Sequence, residues 1–228
     1  MKLSFPKFTP LQAAAHAASW VPLIVLLIDF RLDKLSINPI QAATQRLGDT
    51  ALVMLLLALA ITPLTTLTGY APFNKLRRPL GLYAFFYAAL HFYLYAGLDF
   101  QFDLSLLAGE VSEKRYIWFG LASLIILIAL TATSYKKAMR RMGKNWKRLH
   151  RLVYLAGVLV LVHVALAVKG NLLDLSGDIW KPLAAGSVLA FLFVMRIPWV
   201  KRNISGLRRA SLDLVKTSLH RISNRSLI

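Results

Sequence analysis

Apolar residues run along this chain in six blocks, each about as long as a bilayer core is thick, with charges gathered in the short stretches between them. A hydrocarbon core of about 30 Å takes roughly 20 apolar helical residues. Six segments meet that length: 11–29 (LQAAAHAASWVPLIVLLID), 49–68 (DTALVMLLLALAITPLTTLT), 80–98 (LGLYAFFYAALHFYLYAGL), 116–134 (YIWFGLASLIILIALTATS), 148–168 and 180–200 (WKPLAAGSVLAFLFVMRIPWV). The pattern predicts an all-α integral membrane protein, a bundle of six transmembrane helices. The first block lacks a clear small-residue cleavage site and its apolar run continues to Ile28, so it reads as a permanent span. No internal repeat stands out.

Charge sets the orientation. Of the 28 Lys and Arg residues, 21 fall in four places: the N-terminus (Lys2, Lys7), the loop of Lys75, Arg77 and Arg78, the connection from Lys136 to Arg151, and the tail from Arg196 on. These places hold one acid, Asp213, and the other nine of the 10 acids lie in the three remaining loops. The positive-inside rule then predicts both termini in the cytoplasm. Residues 1–200 form the transmembrane domain, and 201–228 a basic cytoplasmic tail. In that tail Leu207, Leu214, Val215, Leu219 and Ile222 stand near the spacing of an amphipathic surface helix, with His220 solvated. A net charge of +18 beside apolar spans is accounted for by orientation and anionic lipid, so nucleic acid is not an expected partner.

The chain has no cysteine, which excludes disulfides, iron–sulfur clusters and covalent c-type haem. Four histidines fall inside the apolar blocks: His16, His91, His150 and His163. An ionisable residue there is costly and marks function, and neutral imidazole is the usual axial ligand of haem iron. His91 and His163 lie at comparable depth on two spans that run in the same direction, so they can ligate one haem iron. His150 lies about 19.5 Å of ideal helix below His163, suited to a second haem iron. Its partner is open: Arg77 takes the corresponding place on the third span, and a guanidinium suits a haem propionate or a flavin phosphate rather than iron. His16 is the remaining imidazole for that position. Competing readings make His16 a hydrogen-bond partner between helices and His150 an interfacial residue. The aromatics Tyr83, Phe85, Phe86, Tyr87, Phe92, Tyr93 and Tyr95 either flank a porphyrin or pack the bundle. No dinucleotide-binding or P-loop motif is present.

The runs LGDTALVMLLLALAITPL, RRPLGLYAFFYAALHFYLYA and MGKNWKRLHRLVYLAGVLVLVHVALAV resemble the MsrQ family, the haem-binding membrane subunits of bacterial periplasmic methionine sulfoxide reductase systems, within the ferric-reductase-like transmembrane group. The resemblance implies a multi-pass b-type cytochrome of the bacterial inner membrane with one or two haem b groups, and with FMN also associated. It implies electrons taken from the quinone pool or from a cytosolic flavin reductase. They pass to a periplasmic molybdopterin catalytic subunit, its partner in a heterodimer, which repairs oxidised envelope proteins; the present chain is then not the catalytic subunit. His91, His150 and His163 match the family's haem-associated histidines. Arg77 is where the chain departs from the wider group, which tends to carry two histidines on each of two helices. Two alternatives remain at this level: a ferric reductase delivering electrons to metal chelates, and a proton-coupled transporter with a histidine relay.

Overall fold

The structure, a computed structural model, describes residues 9–168, 170–171, 176–177 and 179–210. Lys2, Lys7, Asp174, Asp178 and the tail beyond 210, with Asp213 and His220, lie outside the described residues. The helices are α1 (Pro10–Arg31), α2 (Pro39–Thr68), α3 (Arg77–Tyr93), α4 (Leu104–Glu113), α5 (Arg115–Ala132), α6 (Lys136–Met142), α7 (Lys144–His150), α8 (Leu152–Ala167) and α9 (Trp180–Val194). A helix over Pro198–Ala210, α10, follows. A 3-10 turn over Ala71–Leu76 leads into α3 and a π-helical turn over Leu94–Asp99 leaves it. A two-residue antiparallel ladder pairs Gly170 with Gly177 and Asn171 with Ser176.

Local chemistry accounts for the boundaries. Thr9 and Gln12 form a capping box at the start of α1, and Asn38 caps α2 ahead of Pro39 at its first turn. Gly69 ends α2 in the left-handed conformation at φ 73°, which a residue with a Cβ resists.

Five helical stretches are long and apolar enough to cross a membrane: α1, α2, Ala71–Asp99 through α3, α5, and Lys144–Ala167 through α7 and α8. The sixth path departs from the sequence expectation. Rather than one span over 180–200, α9 has 15 residues and α10 turns away from it by 75°. Fifteen residues rise only about 22 Å, so the last span is short and bent. The second helix differs in the other direction. It begins at Pro39, ten residues before the apolar block, because the polar run PIQAATQRLG is well capped. Large apolar side chains such as Ile24, Leu27, Trp118 and Ile125 face outward, as a lipid-exposed surface requires.

The most extensive helix contacts are within two hairpins, α2 with α3 and α5 with α8. A shift of 72 residues lays one on the other, taking Ala84 and His91 onto Ala156 and His163, and both alanines are wholly buried. The bundle thus contains a structural repeat that the sequence pattern does not reveal. All Asp and Glu among the described residues lie at or beside one end of the bundle, the acidic end; the other is the basic end. α1 docks on α2 and α3, where the buried Tyr87 hydroxyl donates to the Ser19 carbonyl at 2.5 Å and Ser19 Oγ donates to the Ala15 carbonyl at 2.8 Å.

Tyr87→Phe keeps the ring and removes this one donor. It is expected to cost about 1 kcal/mol and to lower the thermal midpoint in detergent by roughly 2–4 °C. An unchanged midpoint would show that α1 docks through apolar contacts alone.

Candidate functional site

An imidazole inside an apolar bundle has an N–H that must find an acceptor. Both central histidines find it in a helix backbone. His91 Nδ1 donates to the Thr44 carbonyl at 2.8 Å, and His163 Nδ1 donates to the Tyr116 carbonyl at 2.8 Å. A carbonyl only accepts, so the proton sits on Nδ1 and Nε2 keeps its lone pair.

Each acceptor is a helical carbonyl whose own partner is the N–H four residues on. That residue is Gly48 for Thr44 and Gly120 for Tyr116. A Cβ at Gly48 would stand 3.0 Å from His91 Nδ1, and one at Gly120 would stand 2.8 Å from His163 Nδ1. The glycines therefore clear the path by which a ring reaches a carbonyl already engaged in its helix. In both hairpins the histidine lies 47 residues beyond its acceptor. The same 72-residue shift carries Thr44, Gly48 and His91 onto Tyr116, Gly120 and His163.

The repeat brings the two rings together across the bundle, with centroids 6.2 Å apart and planes at 83°. They line one cavity of about 820 Å³, within the roughly 300–1,000 Å³ of ligand and cofactor sites. Its walls include Ala88, Leu121, Leu124, Val160 and Val164, and toward the acidic end Asp49, Asp99, Glu110, Lys114 and Lys181 line it. Lys181 Nζ lies 2.7 Å from Asp49 Oδ2, and Lys114 pairs with Glu110. Two imidazole–metal bonds of about 2 Å each, with the inner half of each ring added, reach roughly the observed separation. The residues present therefore fit a haem iron, which His91 Nε2 and His163 Nε2 would hold.

The remaining predicted residues lie elsewhere. His150 closes α7, stacks on Trp146 with centroids 4.0 Å apart, and places Nε2 3.2 Å from Thr133 Oγ1. The Thr133 hydroxyl donates to the Ala129 carbonyl at 2.7 Å, so it receives rather than gives at His150. A one-residue turn at Arg151, with right-handed helical backbone, joins α7 to α8 between His150 and His163. His16 is not brought to His150: its Nδ1 meets the Tyr83 hydroxyl at 3.0 Å, on the seam where α1 packs against α3. Arg77 is exposed at the basic end, donating to Thr62 Oγ1 at 2.9 Å and Asn74 Oδ1 at 3.1 Å, and does not line the cavity. Of the aromatic run only Phe92 and Tyr95 line the cavity, whereas Tyr83 and Phe86 pack on Trp20 of α1. The sequence reading missed Thr44, Gly48, Tyr116 and Gly120. The sequence carries one trace of the two glycines, the recurring 43-residue interval from glycine to histidine, which gains its meaning only from the contacts.

Residues 47–162 match the family described as ferric reductase like transmembrane component, a stretch holding both glycines and His91 and ending one residue before His163. The chain is 42% identical over 172 residues to the protein-methionine-sulfoxide reductase heme-binding subunit MsrQ of Bordetella pertussis, covering 75% of this chain and 81% of that one. It is 39% identical over 197 residues to the MsrQ of Rhodospirillum rubrum, covering 86% and 91%. With the MsrQ of Herminiimonas arsenicoxydans it shares 34% over 195 residues, covering 85% and 87%. A multi-pass helical bundle with paired histidine hairpins and these relatives together place the chain: it belongs to the ferric-reductase-like transmembrane family and, within it, to the MsrQ family.

Proposed function

We propose that the chain is the haem-binding membrane subunit of a methionine sulfoxide reductase system, holding haem b between His91 and His163. The observation that carries this reading is the pair of facing imidazoles, each with Nδ1–H tied to a backbone carbonyl and Nε2 left as the ligating atom. A haem bound there supplies reversible one-electron transfer. The protein's part is to fix ring tautomer and orientation through the Thr44 and Tyr116 carbonyls, to hold the cavity open through Gly48 and Gly120, and to keep water from the apolar walls.

In this reading the basic end faces the cytoplasm, with both termini there, and the membrane is the bacterial inner membrane. Electrons come from quinol or reduced flavin on the basic side. They leave at the acidic end for a periplasmic molybdopterin subunit that reduces methionine sulfoxide in oxidised envelope proteins, with FMN as a further cofactor. His150 offers one imidazole for a second, basic-end haem. The residue related to it by the 72-residue shift is Arg78, so that centre would have a single protein ligand from the repeat. His16, engaged with Tyr83, has no role in it. The ferric-reductase-like match supports a second reading, delivery of electrons to ferric chelates.

Reduced-minus-oxidised spectra of the detergent-purified protein test the first reading. His91→Ala and His163→Ala are expected to abolish the main b-type signal, and His150→Ala to diminish it only. A full signal in the His91 and His163 variants would sink the assignment.

Gly48→Ala and Gly120→Ala push against a ligand ring without removing it. Haem retention is expected to weaken on the order of 10-fold, more at Gly120 where the added carbon comes closer; the haem-to-protein ratio after dilution measures it. The electron acceptor is decided by following reoxidation of the reduced protein by stopped flow. Faster oxidation by a purified sulfoxide reductase subunit than by ferric citrate supports the first reading, and the reverse order supports the second.

A further inference from the structure

Three guanidinium groups from distant parts of the chain meet one stripe of α2 at the basic end. Arg196 donates from Nη2 to the Leu59 carbonyl, Arg77 from Nη2 to Thr62 Oγ1 at 2.9 Å, and Arg208 from Nη1 to the Thr66 carbonyl at 2.9 Å. Positions 59, 62 and 66 follow the i, i+3, i+7 spacing of a single helical face, so the three contacts span about 10 Å of axis. The first has a clear cause. Pro63 lacks the N–H that would reach the Leu59 carbonyl four residues back, and Arg196 supplies the donor instead. Arg196 stands at the bend between α9 and α10 and Arg208 lies on α10, so the bend in the last span brings both to α2.

Helix carbonyls do not account for all the donors. A guanidinium has five N–H groups, and Arg196 Nε and Nη1 are enclosed with no hydrogen-bond partner. The Tyr154 ring lies 4.8 Å from the guanidinium carbon, a face that attracts the charge but takes no in-plane hydrogen bond. Arg77 and Arg196 meet α2 three residues apart, at Thr62 and Leu59, so two positive charges stand on neighbouring turns of one helix face. Among the described residues no carboxylate pairs with Arg196 or Arg77. Enclosed guanidinium donors such as those of Arg196 are stabilised by an anion, and guanidinium forks match phosphate oxygens in bidentate fashion.

We propose that Arg77, Arg196 and Arg208 form a phosphate-binding site, filled by the phosphodiester of an anionic phospholipid. Ile197, Trp199 and Leu207, on and beside the bend, are exposed apolar side chains, a setting in which acyl chains and an interfacial tryptophan lie next to a headgroup. A soluble flavin phosphate presents the same chemistry and is the other source of the group. The site is separate from the histidine cavity and stands whether or not that cavity holds haem.

The test uses the full chain in nanodiscs of equal parts phosphatidylglycerol and phosphatidylcholine, with bound lipid identified by mass spectrometry after partial delipidation. About tenfold enrichment of phosphatidylglycerol is expected, falling toward parity in Arg196→Gln and Arg208→Gln. It should persist in Arg140→Gln/Arg141→Gln, which removes two basic-end charges outside the stripe. Should Arg196→Gln fail to fold, the exposed Arg77→Gln carries the same comparison. A second arm titrates FMN and riboflavin in nanodiscs of phosphatidylcholine alone. Loss of lipid preference together with arginine-dependent binding of FMN over riboflavin would keep the site and replace lipid with the flavin phosphate. Parity of the two lipids with no difference between FMN and riboflavin overturns the proposal, as does a preference unchanged in all the stripe variants.

Discussion

Two hydrogen bonds, from His91 Nδ1 to the Thr44 carbonyl and from His163 Nδ1 to the Tyr116 carbonyl, set the terms for the rest of the bundle. In a membrane every buried donor has to be answered from within the protein, and at this level of the bundle the backbone is what answers. A helical carbonyl has a second lone pair to offer, but the side chain of the residue four positions on guards it. Glycine at that position, in both hairpins, turns an ordinary carbonyl into a second acceptor. The consequences extend outward. α2 has to run as helix well past its apolar block so that Thr44 and Gly48 stand opposite α3, and α5 has to begin at Arg115 so that Tyr116 stands opposite α8.

The same arrangement made twice explains why the site is central and the periphery is not symmetric. The two hairpins present equivalent histidines to a common space, while α1 and α9 pack on the outside with different chemistry. α1 is held by aromatic contacts and the Tyr87 hydrogen bond. α9 is joined to α2 at one end by the Asp49–Lys181 ion pair and just beyond its other end by Arg196. At the acidic end the cavity is lined by Asp49, Asp99, Glu110, Lys114 and Lys181. At the basic end the repeat breaks down, with His150 and Trp146 gathered on Thr133 in one hairpin and Arg77 gathered on Thr62 in the other.

Much of this was legible from the order of residues along the chain. Six apolar blocks, charges sorted by loop, and His91 and His163 at matched depth are properties of residue order, because hydrophobic length and helical rise translate directly into position across a bilayer. The bend at Pro198 and the helical extension of α2 were not. Both lie at polar or proline-containing margins, where hydropathy carries no signal and capping or a long-range guanidinium contact decides the geometry.

Residue order by itself therefore determined the fold class, the apolar blocks and the depth of the central imidazoles, since each depends on local hydrophobicity and on fixed helix geometry. Only the tertiary structure decided which nitrogen of each imidazole is occupied, that His16 answers to Tyr83 and not to His150, and that Gly48 and Gly120 belong to the site. Those facts depend on which helix faces meet, and that is set by packing between segments far apart in the chain. The three arginines that meet α2 make the same point: Arg196 and Arg208 lie more than a hundred residues from Arg77 in sequence, and a single stripe of helix receives all three.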